Sequence, residues 1–265
     1  MPLNAALIGY GAIAQQVLRL TQADPTILIR QILVRTTRVS EVQASVGPDI
    51  EVISEIEALS PSVDMVLECA GHDAVAGFGP EILEQGCDLG IVSVGILADE
   101  DLRTRLKTAA VNGHARLFIL PGAIGGIDAL AAAGPELQDV TYTSRKPPAS
   151  WAGSPAEEDH DLAALSMETI VFSGNAREAA IRFPKNANVV ATVALAGIGF
   201  ERTKVTLIAD PAATGNTHLI TAGGPLFDLH YQTQGSALAA NPKTSALTAL
   251  SAVRALKHRT AGLAI

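Results

Sequence analysis

The chain has 265 residues, of which 48% are hydrophobic and 17% charged, and this predicts a folded protein of roughly one and a half to two domains. Its 19 Lys and Arg against 27 Asp and Glu give a formal charge of -8, which argues against nucleic acid or an anionic membrane as a partner. The longest apolar run, 189–200, is shorter than the about 18 to 20 residues of a membrane helix, and the N-terminus lacks a signal-peptide pattern. We therefore expect a cytoplasmic protein.

Short apolar runs alternate with helix-like segments over residues 1–120. Strands are predicted at 5–8, 27–34, 51–53, 65–68, 89–94 and 116–119, and helices at 12–22 and 100–112. Such alternation is typical of parallel strands joined by right-handed crossover connections. The fold class is therefore α/β, and the first domain, 1–120, is expected to be a doubly wound (Rossmann) parallel sheet that binds a dinucleotide.

The pattern changes after residue 120. Strands are predicted at 140–144, 168–173, 205–209, 217–221 and 227–232, together with an apolar helix at 188–199. Strands in succession indicate a second, α+β domain built on a mixed open sheet, 121–240, which we expect to hold the substrate and to form a homodimer. The last segment, 241–265, is predicted to be a helix that begins at Asn241-Pro242 and packs back on the first domain.

A dinucleotide fingerprint, G-x-G-x-x-G/A, lies at 9–14, between the first predicted strand and the first predicted helix. Gly9 permits the tight turn, Gly11 lets the backbone approach a pyrophosphate, and the small Ala14 lets the helix lie close to the strand. The loop predicts NAD or NADP as cofactor, held by Gly9, Gly11, Ala12, Ile13 and Ala14.

The acidic residue that usually binds the ribose 2′-hydroxyl is missing at the end of the second strand. Arg35 stands there, followed by Arg38, and a guanidinium can hold a 2′-phosphate that a carboxylate would repel. This pattern allows NADP. Both arginines can alternatively be ordinary solvated charges.

Proton chemistry needs a titratable group, and His218 and His72 are the histidines that the predicted strands place usefully. A single histidine on a strand is also a common structural residue. The 2 cysteines, Cys69 and Cys87, form no Cys-His cluster, so neither a disulfide framework nor a metal site is predicted. No cysteine lies at the junction 120–126, which argues against covalent acyl chemistry.

Several segments together resemble the L-aspartate dehydrogenase family over nearly the whole chain. They are GYGAIAQ at 9–15, SVGILAD at 93–99, LPGAIGGIDAL at 120–130, TSRKPP at 143–148 and FPKNANVVATVALAGIG at 183–199. The resemblance implies reversible, NAD(P)-dependent deamination of L-aspartate to iminosuccinate, or to oxaloacetate and ammonia, as a step that feeds NAD biosynthesis. It also implies that His218 is the active-site residue and that Ala123 and Asn188 contact the cofactor.

A dicarboxylate substrate requires local positive charge in an acidic chain. Arg145, Lys146 and Lys185 lie in the matching segments and are candidates, with Ser93 and Thr143 as neutral donors. Each of the charged side chains can alternatively be a solvated surface group.

Two other functions stay open from the sequence. One is another imine or carbonyl reductase of the same layout, related to homoserine dehydrogenase or dihydrodipicolinate reductase. The other is a non-catalytic NAD(P)H-sensing protein, which would be expected to carry an added DNA-binding or disordered segment.

Overall fold

The computed structural model describes residues 2–238 and 241–263, and the chain divides into two compact units. Unit 1 comprises Met1–Leu120 and Thr248–Ile265, and unit 2 comprises Pro121–Leu247. Within the described residues, no helix combines the length and the apolar character that a membrane span requires.

Unit 1 is built on a six-stranded sheet in the order β3-β2-β1-β4-β5-β6, and every pair of neighbouring strands is parallel. The elements are β1 (Leu3–Ile8), α1 (Ala12–Thr21), β2 (Ile27–Leu33), α2 (Val39–Ser45), β3 (Glu51–Ile53), β4 (Met65–Glu68), α3 (His72–Glu84), β5 (Asp88–Ile91), α4 (Glu100–Asn112) and β6 (Leu117–Ile119). Strands β4 and β5 are buried along their whole length, as expected of a parallel sheet covered on both faces. The predicted doubly wound sheet is confirmed.

Unit 2 is built on a five-stranded mixed sheet in the order β11-β10-β7-β9-β8, in which only the pair β7 and β9 is parallel. The elements are α5 (Ile127–Ala133), β7 (Asp139–Lys146), α6 (Ala156–Asp159), β8 (Thr169–Asn175), α7 (Ala176–Arg182), α8 (Ala187–Ala196), β9 (Lys204–Ala209), β10 (Asn216–Gly224), β11 (Phe227–Gly235), β12 (Ala237–Leu238) and β13 (Asn241–Ser245). The predicted second sheet is also confirmed.

The two faces of the unit 2 sheet differ in burial. On β7, Val140 and Tyr142 are buried, and Gly197, immediately after α8, lies against the Val140 side chain. The opposite face carries the exposed residues Thr221 and His230. The sheet is therefore covered by helices on one side and open on the other.

The C-terminal helix, α9 (Ala246–Thr260), contributes Ala252, Val253 and Leu256 to the hydrophobic core of unit 1. An ion pair of 2.5 Å between Arg259 and Asp88 adds a polar attachment near the end of the helix.

The predicted start of the last helix at Asn241-Pro242 is wrong. Residues Asn241–Ser245 pair with β12 as β13, and the helix begins at Ala246, where the Ser245 hydroxyl accepts a hydrogen bond from the amide of Leu247. Proline suits either a first helical turn or an edge strand, so the Asn-Pro pattern alone could not decide between them. Leu250 is 48% exposed and does not share the buried face of the helix.

Candidate functional site

A cavity of about 660 Å³ opens at the carboxyl ends of β1, β2 and β4 in unit 1. This is the edge of an open parallel sheet where ligands bind in doubly wound folds, and the volume is typical of small-molecule sites. The lining residues come from the loops after the three strands: Ile8, Gly9, Tyr10, Gly11, Leu33, Val34, Arg35, Arg38, Cys69, Ala70, Gly71, His72, Asp73, Ala74 and Phe78.

The two glycines of the fingerprint lack side chains for different reasons. Gly9 has φ +89°, and a Cβ there would lie 2.8 Å from the Cβ of Ala70, so the fold itself requires glycine. A Cβ on Gly11 would meet no protein atom within 4 Å, although the residue lines the cavity. Packing therefore does not explain Gly11, whereas a ligand that approaches the backbone does.

The N-terminus of α1 is suited to bind an anion. Its first turn carries no acidic residue and Gly11 supplies no side-chain cap, so the first amide groups are available to a phosphate. Ala14 is fully buried, as close packing of helix on sheet requires, and Ala12 and Ile13 are half-buried in the first turn. These features fit a dinucleotide pyrophosphate.

A buried carboxylate, which the sequence reasoning missed, fixes the loop on the other side of the cavity. Glu68 ends β4 and accepts hydrogen bonds from the amides of Ala70 (2.8 Å) and Gly71 (2.7 Å) and from the amide (3.0 Å) and hydroxyl (2.9 Å) of Ser93. The available signal was an acidic residue at the end of an apolar strand, directly before the Cys-Ala-Gly turn.

This network gives Ser93 a structural role. Its hydroxyl has one hydrogen, and that hydrogen is donated to Glu68 in a buried position. In this arrangement the Ser93 hydrogen is directed at Glu68, and the role of Ser93 as a donor to the substrate stays a prediction.

Arg35 and Arg38 both line the cavity where β2 ends. Arg38 pairs with Glu41 at 2.9 Å, and Arg35 is exposed without an ion pair to any residue in the described ranges. Two guanidinium groups therefore lie where the sequence predicts recognition of the ribose.

His72 and Cys69 also line the cavity wall. His72 is the first residue of α3. Burial raises the pKa of the Cys69 thiol well above its ordinary value, so Cys69 stays protonated and unreactive.

Unit 2 holds a second polar cluster, on the helix-covered face of its sheet. His218 on β10 lies directly across from Ser144 on β7, and Tyr142 and Lys146 share that face because strand side chains alternate. The Tyr142 hydroxyl and the Nδ1 atom of His218 are 2.7 Å apart, and both side chains are buried.

Burial sets the protonation states in this cluster. It lowers the pKa of His218 to about 3, with a further contribution from the charge of Lys146, so the imidazole is neutral at physiological pH. It raises the pKa of Tyr142 well above the ordinary value, which keeps the phenol protonated. It also lowers the pKa of Lys146 to about 8, so Lys146 changes charge near neutrality.

Lys146 is held by neutral groups. Its Nζ lies 3.0 Å from the amide oxygen of Asn186 and 5.1 Å from the centre of the Trp151 ring. It forms no salt bridge with a carboxylate in the described part of the chain. A partly buried ammonium without a carboxylate partner is suited to bind an anionic ligand.

Arg145 and Thr143 are not part of this cluster, contrary to the sequence-based grouping. They point to the other face of the sheet, because alternate residues of a strand face opposite sides. Arg145 already bonds to Glu168 and, at 2.8 Å, to Asp210. Of the two charged residues in the TSRKPP segment, only Lys146 lies on the face of the sheet that carries His218. The side chain of Lys185 lies outside the described residues.

The PGAIGG segment forms a loop that depends on its glycines. Gly122 and Gly126 have positive φ, and a Cβ on Gly125 or Gly126 would strike the ring of Tyr231. Ala123 lies half-buried in this loop. Asn188 is half-buried inside α8, and Asn186 occupies the N-terminal cap position of that helix.

The fold and the glycine loop together define the class of protein. A doubly wound parallel sheet with this turn at its first crossover is the architecture of NAD(P)-dependent oxidoreductases. Residues 9–120 match the family model for the NAD binding domain of homoserine dehydrogenase, and residues 128–259 match that for the C-terminal domain of aspartate dehydrogenase.

Relatives along the full chain narrow the class to one family. The chain is 46% identical to an L-aspartate dehydrogenase of Ralstonia nicotianae and 44% identical to one of Pseudomonas aeruginosa, over 99% of this chain and 100% of each relative. The crystal structure of aspartate dehydrogenase from Thermotoga maritima superposes with a TM-score of 0.80 at 28% identity, over 100% of both chains. The chain belongs to the L-aspartate dehydrogenase family.

Proposed function

We propose that the protein is an NAD(P)-dependent L-aspartate dehydrogenase. It oxidises the Cα–N bond of L-aspartate to iminosuccinate, which water converts to oxaloacetate and ammonia, and it catalyses the reverse reductive amination. The observation that carries the proposal is identity of 46% to an L-aspartate dehydrogenase across 99% of the chain.

Unit 1 is assigned to the cofactor. Gly9, Gly11 and the first turn of α1 bind the pyrophosphate, and Arg35 binds a 2′-phosphate when NADP is the cofactor. When bound, the nicotinamide accepts the hydride that leaves Cα of aspartate. We assign Ala123 and Asn188 to cofactor contacts on the basis of the family resemblance.

Unit 2 is assigned to the substrate. His218 is the catalytic residue, and the ammonium of Lys146 binds a substrate carboxylate. A protein of formal charge -8 must provide such a group locally to hold a dicarboxylate. The neighbouring imidazole is neutral and does not compete with Lys146 for that anion.

Substrate range tests the activity. Oxidation of reduced cofactor is followed with oxaloacetate and ammonium, using NADH or NADPH, and then with pyruvate or 2-oxoglutarate in place of oxaloacetate. L-aspartate and L-homoserine are compared in the oxidative direction. Turnover of oxaloacetate and L-aspartate alone supports the proposal, and equal or better turnover of another pair contradicts it.

We further propose a cytoplasmic homodimer whose product supplies NAD biosynthesis. The open face of the unit 2 sheet and the exposed apolar residues Met167 and Ile170, near its outer strand, support an interface there. Sedimentation at micromolar concentration tests the dimer, and a mass equal to one chain of 27.4 kDa would contradict it.

A further inference from the structure

The side chains of Tyr142 on β7 and His218 on β10 share a buried hydrogen bond. The phenol oxygen lies 2.7 Å from Nδ1 of His218, and the two rings are nearly parallel, with an interplanar angle of 15°. The side chains are 1% and 4% exposed, so water does not compete for the bond.

Within residues 2–238 and 241–263, Nδ1 of His218 is the partner that the hydroxyl meets in good hydrogen-bonding geometry, and Ser144 is a second hydrogen-bonding group beside it. Ser144 lies beside the phenol and opposes the rise of its pKa, but its own oxygen is buried without a partner in hydrogen-bonding geometry. A protonated phenol has one hydrogen to donate, and a buried donor is almost always satisfied. A phenol hydrogen directed at Nδ1 of His218 satisfies this donor at 2.7 Å.

A neutral imidazole carries one hydrogen, on either ring nitrogen. When Nδ1 accepts the bond from Tyr142, the imidazole hydrogen is on Nε2. We propose that Tyr142 is a positioning residue that fixes His218 as the Nε2–H tautomer, so that His218 acts as a hydrogen-bond donor and not as a base. This inference rests on the proposed function only in giving that donor a catalytic task.

The Nε2–H tautomer limits the steps of the reaction in which His218 can take part. In the oxidative direction the substrate ammonium loses a proton to solvent water before the hydride leaves, and a water molecule later adds to the iminium carbon and also loses its proton to solvent. His218 cannot accept either proton at Nε2, because that nitrogen already carries hydrogen. It can donate to the oxygen that forms at the former Cα, in the way that a neutral imidazole polarises a carbonyl group.

Nuclear magnetic resonance tests the tautomer without any assay of activity. Long-range ¹H–¹⁵N spectra of the holoprotein with labelled histidine distinguish the protonated ring nitrogen from the unprotonated one, and the His218→Ala variant assigns the signal. We expect an Nε2–H imidazole that does not titrate across the neutral range. An Nδ1–H tautomer, or an imidazole that becomes charged near neutral pH, overturns the proposal even if the enzyme oxidises aspartate.

Kinetics of the Tyr142→Phe variant test the consequence. Loss of the orienting bond should lower kcat about 10- to 100-fold and leave the KM for the dinucleotide unchanged. The matched control is Tyr231→Phe, which removes a hydroxyl from the neighbouring strand without a hydrogen bond to His218. A wild-type kcat for a folded Tyr142→Phe variant overturns the proposal, and if the variant does not fold, the spectra of the wild type decide.

Two replacements of the histidine separate donor from base. The amide nitrogen of glutamine can reach the position of Nε2, whereas the shorter asparagine amide reaches only that of Nδ1. We expect His218→Gln to retain at least tenfold more activity than His218→Asn. Equal activities, or more from asparagine, contradict the donor role. A wild type without aspartate activity but with the Nε2–H tautomer would refute only the proposed function.

Discussion

The site in unit 1 is formed mainly by backbone groups, whereas the site in unit 2 is formed by side chains. In unit 1 the cavity is shaped by backbone: a Cβ on Gly9 would strike Ala70, a Cβ on Gly11 would meet no protein atom within 4 Å, and Glu68 bonds mainly to amides. In unit 2 the cluster is made of side chains from paired strands, with Tyr142 and His218 76 positions apart. Changes in unit 1 should therefore act on cofactor affinity, and changes in unit 2 on turnover and substrate affinity.

The largest effect within this comparison is expected from Lys146→Met. Removing the ammonium of Lys146 should lower kcat/KM for oxaloacetate about 100-fold while NADH affinity stays near that of wild type. Lys204→Met, on the exposed strand position of β9, is the control. A Lys146→Met enzyme with wild-type KM for oxaloacetate would remove Lys146 from substrate binding.

The pH dependence follows from the same side chain. Because the pKa of Lys146 is about 8, its positive charge is lost as pH rises through that value, so the KM for oxaloacetate should increase there.

The unfolded chain keeps the proton up to its ordinary pKa near 10.5, so the unfolded state binds more protons in this interval and stability rises with pH. Chemical unfolding of wild type and Lys146→Met across the interval measures the difference. A KM for oxaloacetate that does not change with pH would contradict the assignment.

A pair of glycine variants separates fold from ligand in unit 1. Gly9→Ala places a Cβ against Ala70 at positive φ and should lower the free energy of unfolding by about 1–3 kcal/mol. Gly11→Ala meets open space, so its thermal midpoint should stay near wild type while the Kd for NADH rises about tenfold. If Gly11→Ala binds NADH normally, the loop does not hold the pyrophosphate.

The order of secondary structure could largely be derived from the sequence, because apolar runs and turn residues report local structure. The first strand, the first helix and the fingerprint follow each other as predicted, and His218 and Lys146 were both selected as site residues. The sequence could also have predicted that Arg145 and Lys146 lie on opposite faces of the sheet, since successive strand residues alternate in direction. Their shared segment instead suggested that both side chains belong to one site. The roles of Tyr142 and Glu68 could not be derived, because they depend on which strands pair and which loops they contact, although the sequence did show an acidic residue at the end of an apolar strand.

A smaller effect is expected at the ribose end of the cavity. Arg35→Asp should weaken NADPH about tenfold more than NADH, because the carboxylate repels a 2′-phosphate and accepts from a 2′-hydroxyl. Arg30→Asp, exposed on β2, is the control for a general change of charge. Equal losses for both cofactors, measured by fluorescence titration, would refute the role of Arg35.

The separation of cofactor binding from chemistry is tested most directly by His218→Ala, measured for both turnover and NADH affinity. The account predicts that kcat falls about 10²- to 10³-fold while the Kd for NADH stays within twofold of wild type, with the exposed His258→Ala on α9 as the control. A variant that keeps its turnover, or one that loses NADH binding together with turnover, would contradict it.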